Sequence, residues 1–343
     1  MDLQSFYYFQ EVAKDLNITK TAGRLFISQQ TLSNHIKRLE EYFDTPLLHR
    51  KPKLSLTYAG EFVLSFSNYV SLKERNLNDV MMDIRNIDKG LLRFGASVMR
   101  TSLVLSYILE LFSAKFPKVE LRISNFNSQL CLNSILEGNL DLALVLFHRN
   151  NEKNFDKELN YIHLIDEEIY LCVTDELLEK YYGKEAMELK RKSKDGARLE
   201  NFSRLPFAIL NNHMGKTIDL CFNEAGFTPK VKALSSNLQI TSTFGVRGLS
   251  ACFVSKSSVL TYISDFKRDD INFFPLLLNN EVLCQKCYLI HRKDRYLSQY
   301  TKMFADLLIK FFSFISKLSM EEIIHEESMT GLHAYLASES QKE

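Results

Sequence analysis

Residues 26–43 read "FISQQTLSNHIKRLEEYF". Leu32, Ile36, Leu39 and Phe43 recur at alternating gaps of four and three, the spacing that lines one face of an α-helix. The other face carries Gln29, Gln30, Ser33, Asn34 and Lys37, and Ser28 stands where a helix N-cap belongs. A helix that is apolar beneath and rich in amides above has two uses. It can be the solvent-facing cover of a helical bundle, or it can read a B-DNA major groove. Such a groove admits one helix, and its base edges match the paired donor and acceptor of Gln and Asn.

The flanking segments favour the second use. Leu3, Phe6, Phe9 and Val12/Ala13 form the stripe of a first helix from Leu3 to about Lys14. "NITKTAGRLF" predicts a second, with Thr19 as its N-cap and Ala22, Leu25 and Phe26 turned inward. Only "IS" separates it from the next helix, which is the helix-turn-helix arrangement. Downstream, "PLLHRKPKLSLTYAG" places Arg50, Lys51 and Lys53 about a proline turn and then alternates, as a small basic hairpin or wing does. From Lys14 to Lys53 basic residues outnumber acidic ones by about four, although the whole chain has a formal net charge of only +1. Phosphate contact needs such a local excess.

The elements "L..F..VA", "T..A..L..SQ..LS..I..LE", "PLL.R" and "LT.AG" fall in register over the first sixty or so residues. Together they closely resemble the winged helix-turn-helix of LysR-type transcriptional regulators. The resemblance implies that Gln29, Ser33 and Asn34 meet bases, and that Ser28, Lys37, Arg50, Lys51 and Lys53 hold phosphates. Thr19 and Gln30 belong to the same DNA-facing set. Gln30 stands where the family usually has Pro, Thr31 where Ala is usual and Asn34 where Arg is frequent, and the wing is a residue or so short. These departures bear on the operator sequence.

After residues 1–58, a helix capped by Thr57 is expected to run to Gly90, so that residues 59–90 form a linker. Val63, Val70, Leu77 and Ile84 lie seven apart, and so do Phe66, Lys73, Val80 and Ile87. This coiled-coil spacing predicts a helix–helix seam of Val63, Phe66, Val70, Leu77, Val80, Ile84 and Ile87. The competing reading is a stripe packed on its own domain. A homodimer would double the recognised DNA sequence, and a homotetramer would extend it further.

From Leu91 the pattern is β-α-β-α-β: "LLRFGAS", "SLVLSYILELFSAKF", "VELRIS", "QLCLNSILEGN" and "LDLALVLF". A second series runs through "EEIYLCV", "FAIL", "KVKALSS" and "SACFVS", and the chain returns with "CYLIHRKD" and a helix at about Leu297–Ser316. The fold class is thus α/β with two lobes: lobe I at about 91–165 and 270–320, lobe II at about 166–269. Ligands of open α/β sheets bind at the carboxyl ends of the strands, here a cleft between the lobes. "ILEGNLDLALV" and "NEAGFTPKVKALSSNLQITSTFGVRGLSACFVSKSSV" resemble the effector-binding domain of LysR-type regulators, which is built like a periplasmic binding protein; "YLIHRKDRYLS" is looser. At strand ends and helix starts lie Ser97, Arg100, Thr101, Ser102, Asn127, Ser128, Phe147 and His148 of lobe I. Lobe II offers Asn211, Asn212, Lys216, Thr217, Ser236 and Asn237. These are the candidate effector contacts, and equally the residue types that cap helices anywhere. Arg100 and Lys216 suggest an anionic small molecule. "ELLEKYYGKEAMELKRKSKDG" predicts an added charged helix, and residues 321–343 an acidic surface tail.

The 45% hydrophobic and 25% charged residues are ordinary for a folded soluble chain. No apolar run reaches the roughly 18 residues of a spanning helix, and the N-terminus lacks signal-peptide features, so cytoplasm is expected and a membrane partner is not. Cys131, Cys172, Cys221, Cys252 and Cys287 read as small buried hydrophobes. Cys284 and Cys287 form a C-x-x-C four residues before His291, without the second ligand pair that zinc needs. With no nucleophile elbow, phosphate loop or paired carboxylates, the reading is a regulator and not an enzyme. It needs no cofactor; its partners are operator DNA, itself and a small effector, with RNA polymerase a further candidate. Alternatives of another class are a small-molecule receptor whose N-terminal module binds protein, and a DNA-binding protein with an inert cleft.

Overall fold

The computed structural model describes residues 2–148, 155–324 and 330–338, with the side chains of His148, Thr330 and Ser338 outside the description. Its N-terminal unit is α1 (Leu3–Asp15), α2 (Ile18–Arg24), α3 (Gln29–Phe43) and the wing strands β1 (Leu48–His49) and β2 (Ser55–Leu56). Phe6, Phe9 and Val12 of α1, Ala22 of α2 and Leu32, Ile36 and Leu39 of α3 share one buried cluster. Four expectations fail here. Leu3 and Phe43, at the ends of their stripes, are exposed. Asn17, not Thr19, caps α2 by accepting the Lys20 amide at 3.0 Å, so that helix starts two residues earlier. Phe26 is 95% exposed, because the turn sets its φ at +55° and swings the ring outward; Ile27 packs in its place.

α4 (Tyr58–Ile84) is capped by Thr57, whose Oγ accepts the Gly60 amide at 3.0 Å. It spans about 40 Å at 1.5 Å per residue. The helix ends at Ile84, and Gly90 lies inside β3 (Lys89–Ala96) instead of stopping the helix; Ile87 is therefore off α4. Val63 is buried in the N-terminal core and Phe66 packs edge-on against Phe6. One face of α4 thus serves its own domain, while Phe62, Tyr69, Leu77, Met81 and Ile84 remain exposed.

Next come α5 (Val98–Lys115), β4 (Lys118–Asn125), α6 (Ser128–Leu136), β5 (Leu142–His148) and β6 (Leu159–Thr174). The second lobe adds α7 (Asp175–Tyr182), α8 (Ala186–Ser193), β7 (Pro206–Leu210), α9 (His213–Ala225), β8 (Lys230–Ser235), α10 (Leu238–Val246), β9 (Cys252–Ser255), α11 (Lys256–Thr261), α12 (Ile263–Phe266) and β10 (Ile271–Pro275). A small hairpin of β11 (Leu277–Leu278) and β12 (Glu281–Val282) leads to β13 (Cys284–Arg292) and α13 (Gln299–Ser316).

β3 runs parallel to β4 and β5, and β13 pairs antiparallel with β5 and with Leu159–Glu168 of β6. The remainder of β6 pairs with β10 and β9, so one 16-residue strand passes from lobe I into lobe II. β10 therefore sits in lobe II, and the chain returns at Cys284, later than the expected 270. The charged insertion forms two short helices, α7 and α8, in place of one. The acidic-tail expectation also fails. Ser319 caps α14 (Met320–Ile324), and α15 (Thr330–Ser338) buries Leu332 and Leu336 in the main core beside Met320 and Ile323. Residues 339–343 lie outside the described set. Among the described residues no helix is long and apolar enough to cross a membrane.

Candidate functional site

Two surfaces answer to the sequence. On the first, Ser28 Oγ accepts the Thr31 amide at 3.0 Å and opens α3. Gln29, Gln30, Asn34 and Lys37 are exposed and Ser33 half-buried, while Leu32, Ile36 and Leu39 close the underside. Thr19 Oγ1 donates to Gln29 Oε1 at 3.0 Å, so Thr19 orients a residue of α3 from the exposed side. Lys37 lies 3.2 Å from Glu41, an exposed pair of the kind worth only about a few tenths of a kcal/mol.

The wing pairs Leu48 with Leu56 and His49 with Ser55, leaving Arg50, Lys51 and Lys53 exposed at its tip. Glu40 organises it from α3: Oε1 accepts the amides of Leu47 and Leu48 at 2.9 and 3.3 Å, and Oε2 meets Arg50 at 3.2 Å. Nothing but its place in the "LE" pair could have marked it. Behind α3, Arg24 bridges Glu11 and Asp15; its guanidinium, with Lys20, pulls the Asp15 carboxyl down to about 2.

The second surface lies where the lobes meet. Arg100, in the first turn of α5, is buried, and its Nη2 donates to Glu167 Oε2 at 3.1 Å. Glu167 on β6 stands opposite Gln285 on β13 and accepts the Ser257 amide at 3.1 Å. Gln285 Nε2 lies 3.0 Å from both Thr217 Oγ1 and His213 Nδ1, in the first turn of α9. Two polar groups thus lie side by side in register on the crossing strands, Arg100–Glu167–Ser257 and Gln285–Thr217–His213. Arg100 Nε, Ser257 Oγ and Gln285 Oε1 within them are buried without a partner. Unmade hydrogen bonds of this kind are costly and mark places where a further group can enter. Glu167 neutralises Arg100, which removes half of the charge argument for an anionic ligand.

The other candidates scatter. Ser97 lies 3.4 Å from Arg100 Nη1, and Thr101 bonds Asn125 at 2.8 Å. Asn127, Asn212 and Asn237 each use a side-chain oxygen to cap their own helix, and Ser128 Oγ accepts the Leu146 amide at 2.9 Å. Phe147 is packed among Phe155, Tyr161 and Tyr288. Ser102, Asn211, Lys216 and Ser236 are exposed. The side chain of His148 lies outside the described residues. Glu167, Gln285, His213 and Ser257 escaped the sequence reading; the acidic pair opening the apolar "EEIYLCV" was the available signal. Cys287 is fully buried, and burial pushes its thiol up to about 12. Burial likewise lowers the basicity of His291. Among the described residues no group of three or more His, Cys, Asp or Glu could hold a metal ion.

The model of the bacterial regulatory helix-turn-helix of the LysR family matches residues 3–61, and that of the LysR substrate binding domain matches residues 85–313. The chain belongs to the LysR family of transcriptional regulators. It is therefore a DNA-binding regulator with a substrate-binding effector domain, in a family of regulators and not of catalysts. A probable RuBisCO transcriptional regulator of Trieres chinensis is 27% identical over 264 residues, 75% of this chain and 81% of that one. A full-length OxyR variant from Pseudomonas aeruginosa superposes with a TM-score of 0.63 at 17% identity, covering 93% of this chain and 96% of the other. Full-length CbnR complexed with its target DNA gives 0.54 at 17% identity, over 90% and 99%. At such identities the two structures speak for the LysR fold alone. α4 bridges the two matched segments, while α14 and α15 lie beyond the second.

Proposed function

We propose that this LysR-type regulator acts in the cytoplasm as a homodimer, or a pair of dimers, on a pseudo-palindromic operator. The observation that carries the reading is the outer face of α3. Gln29, Gln30, Ser33 and Asn34 read base edges, while Ser28, Lys37 and the wing's Arg50, Lys51 and Lys53 hold phosphates. Thr19 acts through Gln29. The exposed apolar face of α4, with Phe66, Leu77 and Ile84 from the predicted seam and Phe62, Tyr69 and Met81 beside them, pairs with a second copy. Val63 is spent inside its own domain.

A small molecule in the interlobe cleft engages the unpartnered atoms of Arg100, Ser257 and Gln285. Because these join both lobes, occupancy favours one lobe arrangement over another, which is the condition for switching. The test is a mobility shift against DNA around the protein's own gene, over a salt series. The wild type binds with a steep salt dependence. A Gln29→Ala/Ser33→Ala chain is expected to lose about tenfold or more in operator preference over random DNA, each base contact contributing about 1–3 kcal/mol. Unchanged preference would refute the assignment.

A further inference from the structure

The linker helix is fastened to lobe I along one of its faces. Between β13 and α13 the chain passes through Asp294, Arg295 and Tyr296, and all three reach α4. Lys73 Nζ lies 3.2 Å from Asp294 Oδ2, and Asn76 Nδ2 donates to the Asp294 carbonyl at 2.7 Å. Asn76 Oδ1 accepts from Arg295 Nη1 at 2.6 Å and from the Tyr296 amide at 3.0 Å. The Tyr296 hydroxyl donates to Asp83 at 2.9 Å, and the Tyr300 hydroxyl to Asp79 at 3.1 Å. Positions 76, 79 and 83 are three and four apart, so a single helix face makes these bonds.

Two side chains grip both sides: Asp294 meets Lys73 of α4 and, at 2.8 Å, Arg292 Nε of β13, and Arg295 does so from a buried position with three acceptors. Arg295 is 7% exposed; Nη2 donates to Asp79 Oδ2 of α4 at 2.6 Å and Nε to Asp141 Oδ1 at 2.9 Å. Asp141 is itself buried, accepts the Arg93 amide of β3 at 2.9 Å on its other oxygen, and immediately precedes β5. A planar guanidinium with acceptors in three directions fixes rotation as well as distance, which a lysine cannot do.

We propose that Arg295 is a positioning residue for operator binding. It holds α4 and lobe I as one body, sets the angle at which the two reading helices of a dimer are presented, and passes any movement of lobe I on to them. β5 carries the same body from Asp141 to the aromatic cluster at Phe147. The inference rests on the dimeric-regulator reading.

Arg295→Met would strand two carboxylates and is expected to unfold the domain. The deciding variant is Asn76→Ala/Asp79→Ala, which removes both α4 acceptors of Arg295, keeps the Arg295–Asp141 pair in lobe I, and leaves Lys73–Asp294, Arg75–Gly138 and Tyr296–Asp83 in place. Spin labels at Glu74→Cys on α4 and Gln129→Cys on α6, in the full chain carrying Cys284→Ser, report the joint without any ligand. The parent gives one narrow distance and the double variant a broad one. In a second arm, affinity is measured for the operator and for a version with about five base pairs inserted between half-sites, half a helical turn. The parent discriminates between them; the variant loses about tenfold of that discrimination, or 1.4 kcal/mol, with its salt slope and melting temperature kept. A narrow distance in the variant, or unchanged spacing discrimination, would overturn the proposal. Failure of the parent to bind DNA at either spacing would instead overturn the regulator reading.

Discussion

Gly60 shows how one missing side chain joins the wing to the linker. A Cβ at this position would lie 2.1 Å from the Leu47 carbonyl oxygen, a backbone atom that cannot step aside. The same carbonyl accepts the Thr57 amide at 3.0 Å, and Thr57 Oγ1 donates to Pro46 O at 2.8 Å while accepting the Gly60 amide. The start of the wing therefore lies directly on the first turn of α4. Gly60→Ala is expected to lower stability by about 2 kcal/mol or more, within the overpacking range, and to displace the wing's cations. Thermal melting checks the first effect, and a reduced salt slope of DNA binding the second. A melting temperature equal to the parent's would mean that the close approach is not obligatory. Thr19 and Phe26 make the complementary point. Thr and Asn are both good caps, so only the backbone could decide that Asn17 starts α2 and frees Thr19 to reach Gln29. Phe26 satisfied the apolar spacing, yet a left-handed turn residue has no place in helical periodicity.

At the level of elements, α14 and α15 separate what composition conveys from what packing decides. The last residues are acidic and lie beyond the LysR domain match, yet Leu332 and Leu336, four apart, seat α15 against α5 and α13. Leu332→Ala/Leu336→Ala should cost about 4 kcal/mol or more, since each buried Leu→Ala change costs about 2–5 kcal/mol, and calorimetry would read it. A loss under about 1 kcal/mol would put α15 outside the cooperative core. Where a hydrophobic period ran for several turns, as in α1, α3 and α4, the elements were legible in sequence because periodicity reports burial directly. The β-α-β order of lobe I was legible for the same reason. Boundaries were not: β6 continues from lobe I into lobe II without a break, and no residue type along "LNYIHLIDEEIYLCVT" signals the crossing. In the DNA-facing set, exposure could be read because polar residues faced away from a stripe. In the cleft it could not. Asn127, Asn212 and Asn237 cap their own helices, a role their residue type allows beside ligand contact, whereas Glu167 and Gln285 sit in apolar strands, where only the fold reveals that they meet Arg100 and Thr217.

For the molecule as a whole, the assembly we propose follows from the division of α4 into faces. Toward its own chain the helix gives Val63, Ser67 and Leu72 to the interior, and Asn76, Asp79 and Asp83 to the joint with lobe I. Away from it stand Phe62, Tyr69, Leu77, Met81 and Ile84, with Ile84 68% exposed, and at the boundary Phe66, half exposed with one edge on Phe6. Six large apolar side chains, Phe66 in part, exposed along about six turns exceed what an isolated surface helix keeps without a partner. Two such faces meeting across a two-fold axis bury them and place two copies of α3 at a fixed separation. Carboxylates introduced at Leu77 and Ile84 touch neither the N-terminal core nor the Arg295 joint, so they act on pairing alone. A Leu77→Glu/Ile84→Glu chain is expected to sediment as a monomer at micromolar concentration, where the parent sediments as a dimer or larger. Its melting temperature should fall only by what dissociation removes. It should still bind DNA nonspecifically, since its cations are untouched, while preference for the full operator drops by the half-site's contribution. Sedimentation as a dimer with operator preference intact would show that the contact between copies lies elsewhere, and the seam on α4 would have to be abandoned.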